Sequence, residues 1–230
     1  MRTRQWVTAG TRLLEKTVAS LDDEELDEPS RLPGWTRRHV IAHLAANADA
    51  LGRLVSWAHT SVEQHMYASA DQRDAEIKLG ASLPTSQLRT WLQSSAQDLE
   101  AGMDQLSDTE WHCLVITGQG RTVPADELPW LRSREVLVHT IDLNAGPEFF
   151  DLPAAFCRAL AVDICAKRSL EGNPNVIIDS VDRGEEFQLR ISGKGPVVEI
   201  EGPLSEITAW LAGRSTAARQ SSWPRLPAWL

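Results

Sequence analysis

The 230-residue sequence has no apolar run long enough to cross a bilayer. Its first ten residues contain two arginines, and neither an apolar stretch nor a cleavage-like site follows them, so no secretory signal is predicted. Cysteine is scarce, and Cys113, Cys157 and Cys165 form no CxxC pair and no even-numbered framework. These absences predict a cytoplasmic protein whose cysteines are buried thiols without disulfide partners.

An excess of positive charge is also absent. The formal net charge is −9, which argues against the basic surface that a nucleic-acid-binding protein needs. Short basic clusters at Arg37–Arg38 and Arg132–Arg134 are sufficient only for an anionic small molecule. Neither a membrane nor a nucleic acid is therefore expected as a partner. Coiled-coil heptads are missing as well, which favours a monomer.

The first part of the chain, up to about residue 145, has the periodicity of helices. In the second helix, Thr36 is a candidate N-cap and Val40, Leu44, Leu51 and Val55 form one apolar stripe. A loop or short extended segment is predicted around residues 117–124. The predicted helices span about residues 3–21, 36–60, 70–79, 85–105 and 125–145. Four main helices with long connections favour a four-helix bundle.

The pattern changes beyond residue 150. A helix over about 152–170 precedes three short runs typical of strands, and a last helix follows Pro203 over about 204–213. The predicted strands are Asn175–Asp179, Glu186–Ile191 and Val197–Glu201. We therefore predict two domains, a helical one over residues 1–150 and a small α+β domain over residues 151–230.

Two pairs of potential metal ligands are spaced by four residues within predicted helices. His39 and His43 lie in the second helix, and Glu135 and His139 lie in the helix predicted over 125–145. Residues at positions i and i+4 share one helical face, so both side chains of a pair can reach one ion. Imidazole and carboxylate groups suit zinc and also other divalent first-row metals.

The apolar stripe of the second helix favours His43 over His39 as the inward-facing residue. At about 100° per residue, His43 flanks the stripe, whereas His39 lies about 40° farther toward the outer face. His39 is expected to face solvent or to support a ligand.

The spacing of Glu135 and His139 leaves two interpretations open. The pair could bind a metal together with His43, or it could be a surface pair worth a few tenths of a kcal/mol. Three protein ligands would leave an open position on a tetrahedral zinc, as in catalytic sites. Asp142, one turn beyond His139, could be a further ligand or could orient one.

Several motifs resemble the mycothiol-dependent maleylpyruvate isomerase family, and the resemblance spans nearly the whole chain. The matching segments are Gly34–His43 (GWTRRHVIAH) with Asn47, Met66–Tyr67 with Glu76–Ile77, Gly120–Pro124 (GRTVP), Arg132–Val136 (RSREV) with His139 and Asp142–Leu143, Ala212–Arg214 (AGR) and Trp229–Leu230.

The resemblance implies an α plus α/β fold class. A DinB/YfiT-like metal-binding four-helix bundle would be followed by a small α+β domain related to sterol-carrier-like folds. It also implies two cofactors, a zinc ion (or another divalent metal) and mycothiol. The implied metal ligands are His43, Glu135 and His139.

The resemblance further assigns Arg214, in the Ala-Gly-Arg motif, a catalytic role and a contact to substrate or thiol in the cleft between the domains. An alternative for Arg214 is a cation at the end of a helix. Asn47, one turn beyond His43, is a candidate contact to the thiol cofactor, or an ordinary polar helix residue. Weaker candidates for substrate contacts are Tyr67, Arg121, Arg132 and Arg134.

The implied reaction is the cis–trans isomerisation of maleylpyruvate, a dicarboxylate, to fumarylpyruvate in aromatic catabolism. The cis double bond must become single for a time, which addition of a metal-bound thiolate, rotation and elimination would achieve. One alternative is a mycothiol S-transferase acting on another electrophile, since that reaction begins in the same way. A second alternative is a non-catalytic protein that binds a metal or an apolar ligand.

Overall fold

The computed structural model describes residues 2–170, 173–182, 185–214 and 222–227. The chain divides into two compact units, Met1–Pro147 and Glu148–Leu230. The first unit is mainly helical, and the second combines helices with a small sheet, which confirms the predicted fold class. Over these described ranges, no helix is both long enough and apolar enough to cross a membrane. The closing Trp229–Leu230 motif lies outside the described residues.

Long helices dominate the first unit, with α1 packed along α5, α2 along α4, and α3 against α2. A short antiparallel hairpin, β1–β2, occupies the connection before α5, where the sequence predicts a loop or extended segment. The bounds are α1 Arg2–Ala19, α2 Arg37–Thr60, α3 Ala70–Ala81, α4 Thr85–Gln105, β1 Leu114–Ile116, β2 Thr122–Pro124 and α5 Leu128–Asp142.

The helix α5 is shorter than predicted at both ends. A 3₁₀ turn, Ala125–Glu127, precedes it, and the α-helix begins at Leu128 with a proline in its first turn, where the missing backbone N–H is tolerated. At the other end, Asn144 has a φ of 54°, a left-handed conformation that stops the helical hydrogen-bonding pattern. The spacing of apolar residues, from which the helix was predicted, carries no information about the 3₁₀ turn or the left-handed residue.

The helix α2 lies at the centre of the first unit. It begins after Thr36, whose backbone N–H donates to His39 Nδ1 at 3.3 Å, and it ends at Ser61, which has a φ of 59°. The predicted apolar stripe is buried, but burial extends around nearly the whole helix from Val40 to Ala48. The reason is that α3, α4 and α5 all contact α2. Polar side chains in this stretch, His43 and Asn47 among them, are therefore removed from solvent.

A close approach between helices depends on Gly80, near the end of α3. A β-carbon at this position would lie 2.4 Å from Cζ3 of Trp91 on α4 and 2.9 Å from Cβ of Ala42 on α2. The indole ring of Trp91 has little freedom to move, because its Nε1–H donates to Asp49 Oδ2 at 2.7 Å. The missing side chain of Gly80 thus lets α3 lie directly against its neighbours.

We expect Gly80→Ala to lower the free energy of unfolding by about 1–3 kcal/mol, because the added methyl group overpacks the contact with Trp91. Gly52→Ala is the matched control, since Gly52 lies within α2 and a β-carbon there meets nothing within 4 Å. That control should gain about 0.5–1 kcal/mol from the better helix former. Urea denaturation of the metal-free variants measures both. Equal effects of the two substitutions would contradict this explanation.

The described residues of the second unit form two α-helices and a three-stranded sheet. Their bounds are α6 Ala154–Leu170, β3 Pro174–Asp182, β4 Glu185–Ile191, β5 Lys194–Pro203 and α7 Leu204–Leu211. The strand order is β4-β3-β5, with β4 antiparallel and β5 parallel to the central strand. Ile178 of β3 pairs with Leu189 and with Ile200, and all three side chains are buried. The predicted order of helix, three strands and helix is present.

The cysteines are placed differently in the two units. Cys157 and Cys165 on α6 are buried, as predicted, whereas Cys113 beside the β1–β2 hairpin is only half-buried. No disulfide joins any of them. Burial raises the pKa of Cys165 to about 12, so its thiol stays protonated at neutral pH.

Candidate metal centre

Three potential metal ligands converge between α2 and α5. His43 Nε2 lies 2.9 Å from Glu135 Oε2, and His139 Nε2 lies 3.4 Å from the same oxygen. One donor atom from each residue lies within 4.8 Å of the other two. Both histidines are buried, and the Glu135 side chain is 16% exposed. Side chains buried to this extent do not form a surface pair, so that interpretation of Glu135 and His139 is wrong.

This donor set fits a zinc ion. Two ligands of one tetrahedral zinc lie about 3.3 Å apart, given bonds of about 2.0–2.2 Å. The separations of 2.9 and 3.4 Å are close to that value. Two imidazole nitrogens and one carboxylate oxygen also match the ligand types of catalytic zinc sites, which keep a fourth position open. The residues present thus fit a three-ligand site for zinc.

Asp142 contacts His139 at Nδ1, the ring nitrogen that does not face Glu135. The side chain of Asp142 is fully buried, and its Oδ2 lies 2.8 Å from His139 Nδ1. A hydrogen bond from Nδ1–H to this carboxylate leaves Nε2, which faces Glu135, as the nitrogen available to a metal. Such a carboxylate–histidine pair is typical of metal sites, where it fixes the tautomer and orientation of the ligand. Of the two roles open for Asp142 in the sequence, the geometry favours orienting His139.

The two histidines have opposite pKa shifts. Burial lowers the pKa of His43, and the hydrogen bond to Glu135 only partly opposes this. Burial has the same effect on His139, but its hydrogen bonds to Asp142 and Glu135 outweigh it and raise the pKa to about 9. Burial raises the pKa of Glu135, yet the hydrogen bonds from both histidines hold it well below its usual range. Without metal, Glu135 is thus ionised at neutral pH, and a metal must displace a proton from His139.

Two neighbours of His43 were not identified as site residues from the sequence. The Trp35 ring centroid lies 5.7 Å from that of His43, so the indole forms one wall of the cluster. Arg73, on α3, places its Nη2 atom 3.4 Å from His43 Nδ1. No pattern in α3 singles out Arg73, because this helix carries no apolar stripe that would fix its orientation.

Similar known proteins match nearly the whole chain. The sequence profile of the mycothiol maleylpyruvate isomerase N-terminal domain matches residues 7–144, which include all three clustered residues. A crystal structure of the mycothiol-dependent maleylpyruvate isomerase is 34% identical in sequence, with a TM-score of 0.91, over 99% of this chain and 96% of that chain. The chain belongs to the mycothiol maleylpyruvate isomerase family. A crystal structure of a histidine-to-alanine mutant of that isomerase gives the same values. Comparison with curated proteins gives no match.

The segment Gly34–His43 contains two histidines, and their surroundings differ in the structure. His39 lies at the start of α2, where its Nδ1 is 2.9 Å from Thr36 Oγ1. That contact belongs to the helix cap, away from the donor cluster. His43, one turn later, lies beside Glu135 and His139. This arrangement agrees with the helical-face argument for His43.

Asn47 contacts Arg132 of α5. Its Oδ1 accepts a hydrogen bond of 2.9 Å from Arg132 Nη1, which also donates to the carbonyl oxygen of Leu44 at 2.8 Å. Asn47 is 7% exposed and Arg132 is 1% exposed. This contact gives Asn47 a structural role, and its predicted contact with the thiol cofactor of the family stays a prediction. Arg132 is too deeply buried in this structure to meet a substrate carboxylate.

Arg214 lies in the second unit, just after α7. The Ala-Gly-Arg segment forms a helix C-cap, in which Gly213 has a φ of 73° and the backbone N–H of Arg214 donates to Ala209 O at 2.8 Å. The guanidinium Nη1 of Arg214 donates to Ala212 O at 2.6 Å. The motif thus fixes the backbone of Arg214, and its side chain contributes to the end of the helix.

The other candidates from the sequence occupy different surroundings. Tyr67 is half-buried against the core of the first unit, beside Arg53. Burial raises the pKa of Tyr67, although the charge of Arg73 opposes this effect. Arg121 is exposed and pairs with Glu127 at 3.2 Å, near the hairpin. Arg134 is half-buried on α5. Of these, Tyr67 has an electrostatic link to the residues around His43.

We expect Asp142→Asn to lower the zinc affinity of the protein about 10- to 100-fold. The amide keeps the size of the side chain but removes the charge that orients His139, while all three donors remain. Competition with a chelator of known affinity measures the change. Asp126→Asn, in the 3₁₀ turn before α5, is a control of identical chemistry. Equal zinc affinities for the two variants would refute a role for Asp142 in orienting His139.

Proposed function

We propose that this chain is a zinc- and mycothiol-dependent enzyme that isomerises maleylpyruvate to fumarylpyruvate. The observation that carries the proposal is the convergence of His43, Glu135 and His139 within the region that matches the family. The similarity to the crystallised isomerase over 99% of the chain supports the reaction. A cytoplasmic location is part of the proposal, because a thiol cofactor stays reduced there.

The proposed ligands divide the work of holding the metal. Glu135 supplies one negative charge, so that a zinc ion in the site keeps a net charge of about +1 and favours an anionic fourth ligand. His139 is held by Asp142, and His43 is held against Trp35 in the wall of the site. When bound, zinc and mycothiol would supply the Lewis acid and the thiolate whose reversible addition makes the double bond rotatable.

Arg214 is proposed to pair with a carboxylate of the substrate or the cofactor. A guanidinium can bind a carboxylate through two parallel hydrogen bonds, which lysine cannot reproduce. The helix cap formed by Gly213 supports this role, since it fixes the backbone from which the side chain extends. Arg214→Lys should therefore raise the KM for substrate and leave the zinc content unchanged.

The experiment that tests the function follows the ultraviolet absorbance of maleylpyruvate with the zinc-loaded protein, with and without catalytic mycothiol, and identifies the products. We expect fumarylpyruvate to form only with mycothiol, with the thiol recovered unchanged. A stable thioether with another electrophile, and no isomerisation, would refute the isomerase and identify an S-transferase.

A cobalt-substituted protein distinguishes an enzyme from a non-catalytic metal protein. Cobalt has a visible spectrum that responds to its ligands. Added thiol should produce a sulfur-to-metal charge-transfer band if the fourth position is open, as three protein ligands imply. An unchanged spectrum would indicate a closed structural site and would contradict the proposed mechanism.

A further inference from the structure

Arg73 is unusual as a neighbour of a candidate metal ligand. Its Nη2 atom lies 3.4 Å from His43 Nδ1, and its Nη1 atom lies 3.1 Å from the carboxylate of Asp74. The Asp74 side chain is 73% exposed, so this ion pair is solvated and worth little. The Arg73 side chain is 37% exposed, which leaves the guanidinium within reach of a small solute.

The tautomer of a metal-bound His43 makes this contact unfavourable. His43 Nε2 faces Glu135 and is the atom available to the metal. An imidazole that gives its Nε2 lone pair to a metal carries its hydrogen on Nδ1. Ligand histidines normally donate that hydrogen to a carboxylate or a carbonyl oxygen. Here Nδ1–H would face a guanidinium, which also can only donate.

His139 provides the comparison within the same site. Its Nδ1 lies 2.8 Å from Asp142 Oδ2, so the outer hydrogen-bond partner of this histidine is a built-in carboxylate. His43 has Arg73 at the corresponding nitrogen. Two donors at 3.4 Å are both satisfied when an anion accepts from each. A planar carboxylate suits this arrangement, because guanidinium and carboxylate groups match in geometry.

We propose that Arg73 and the Nδ1–H group of His43 form a binding site for a carboxylate of the substrate next to the metal centre. The proposal rests on the proposed function, since it assumes that His43 binds a metal and that the substrate is a dicarboxylate. In this site Arg73 holds a carboxylate of the substrate, and that carboxylate accepts a hydrogen bond from His43 Nδ1–H, as the Asp142 carboxylate does from His139. Arg73 is thus a specificity-determining residue for carboxylate substrates.

The test measures the binding of succinate, an unreactive four-carbon dicarboxylate, to the zinc-loaded full-length protein by titration calorimetry. We expect Arg73→Gln to weaken succinate binding about 10- to 100-fold, as for loss of a hydrogen bond to a charged group. Zinc content, measured by atomic absorption, should stay at one per chain. Lys78→Gln removes the same charge from an exposed position of α3 and should bind succinate like the unmodified protein.

Two results would overturn the proposal. One is an unmodified protein that loads zinc but does not bind succinate. The other is an Arg73→Gln variant that binds zinc more weakly but, once reloaded, binds succinate normally, since this would make Arg73 a mere support for His43. Succinate cannot isomerise, so a failed maleylpyruvate assay would refute the proposed function without deciding this binding measurement. Arg73→Lys, which keeps the charge but loses the planar fork, should be intermediate.

Discussion

Replacing His43 by alanine should abolish both zinc binding and isomerase activity. The substitution removes one of the three donors of the cluster. The loss of affinity should exceed the roughly 10- to 100-fold cost of losing an outer hydrogen-bond partner. Zinc content after gel filtration and turnover with mycothiol measure the two effects. Glu135→Gln and His139→Ala should behave in the same way.

His59→Ala is the matched control for this prediction. His59 lies on the same helix, is exposed, and pairs with Glu110 at 3.1 Å. This variant should retain full zinc content and activity. A zinc-free His43→Ala protein that is fully active would refute the metal assignment, whereas loss of zinc in both variants would indicate damage to α2 in general.

Replacing Arg132 by alanine should have the largest effect on stability, a loss of about 2–5 kcal/mol in the free energy of unfolding, because it leaves a cavity and removes a buried hydrogen-bond donor. Arg132 is 1% exposed, and its Nη1 atom bridges Leu44 O and Asn47 Oδ1 across the α2–α5 contact. Burial lowers its pKa to about 10, against the opposing charge of Glu135, so it remains charged at neutral pH. Its removal leaves Leu44 O and Asn47 Oδ1 without this buried donor.

Urea denaturation of metal-free protein measures this effect, because bound metal would add its own stabilisation. Arg121→Ala, which breaks only an exposed ion pair with Glu127, should cost less than about 1 kcal/mol. A double-mutant cycle of Arg132→Ala and Asn47→Ala isolates the interaction energy between these two side chains. We expect a coupling energy of about 1–3 kcal/mol. No coupling, together with weaker mycothiol binding by Asn47→Ala, would support the predicted cofactor contact of Asn47 over a structural one.

Much of the first unit was predictable because helix periodicity is a local property. Thr36 as an N-cap and the buried stripe of α2 follow from residues within one or two turns. The choice of His43 over His39 depends on the same local geometry, and the structure places His43 at the cluster. The family resemblance was needed to join α2 to α5, since spacing within a helix does not reveal which helices become neighbours.

The residues that sequence reasoning missed depend on contacts between helices. Arg73 reaches His43 because α3 packs on α2, where Gly80 allows a close approach. Arg132 looked like a candidate for a substrate carboxylate, yet α2 covers it with a carbonyl and an amide oxygen. Both cases concern arginines, whose long side chains have roles that depend on what lies several ångströms from their backbone.

The donors His43 and Glu135 are 92 positions apart in the chain. A metal ion held by both would act as a cross-link that closes a loop of this length, comparable to a disulfide worth about 4–5 kcal/mol in unfolded-state entropy. Folding and metal binding are then linked, because the metal ion binds the folded chain. Above the dissociation constant, each tenfold rise in free zinc adds about 1.4 kcal/mol to the stability of the folded chain. The amount of intact enzyme in a cell would follow its zinc status, apart from any control of synthesis.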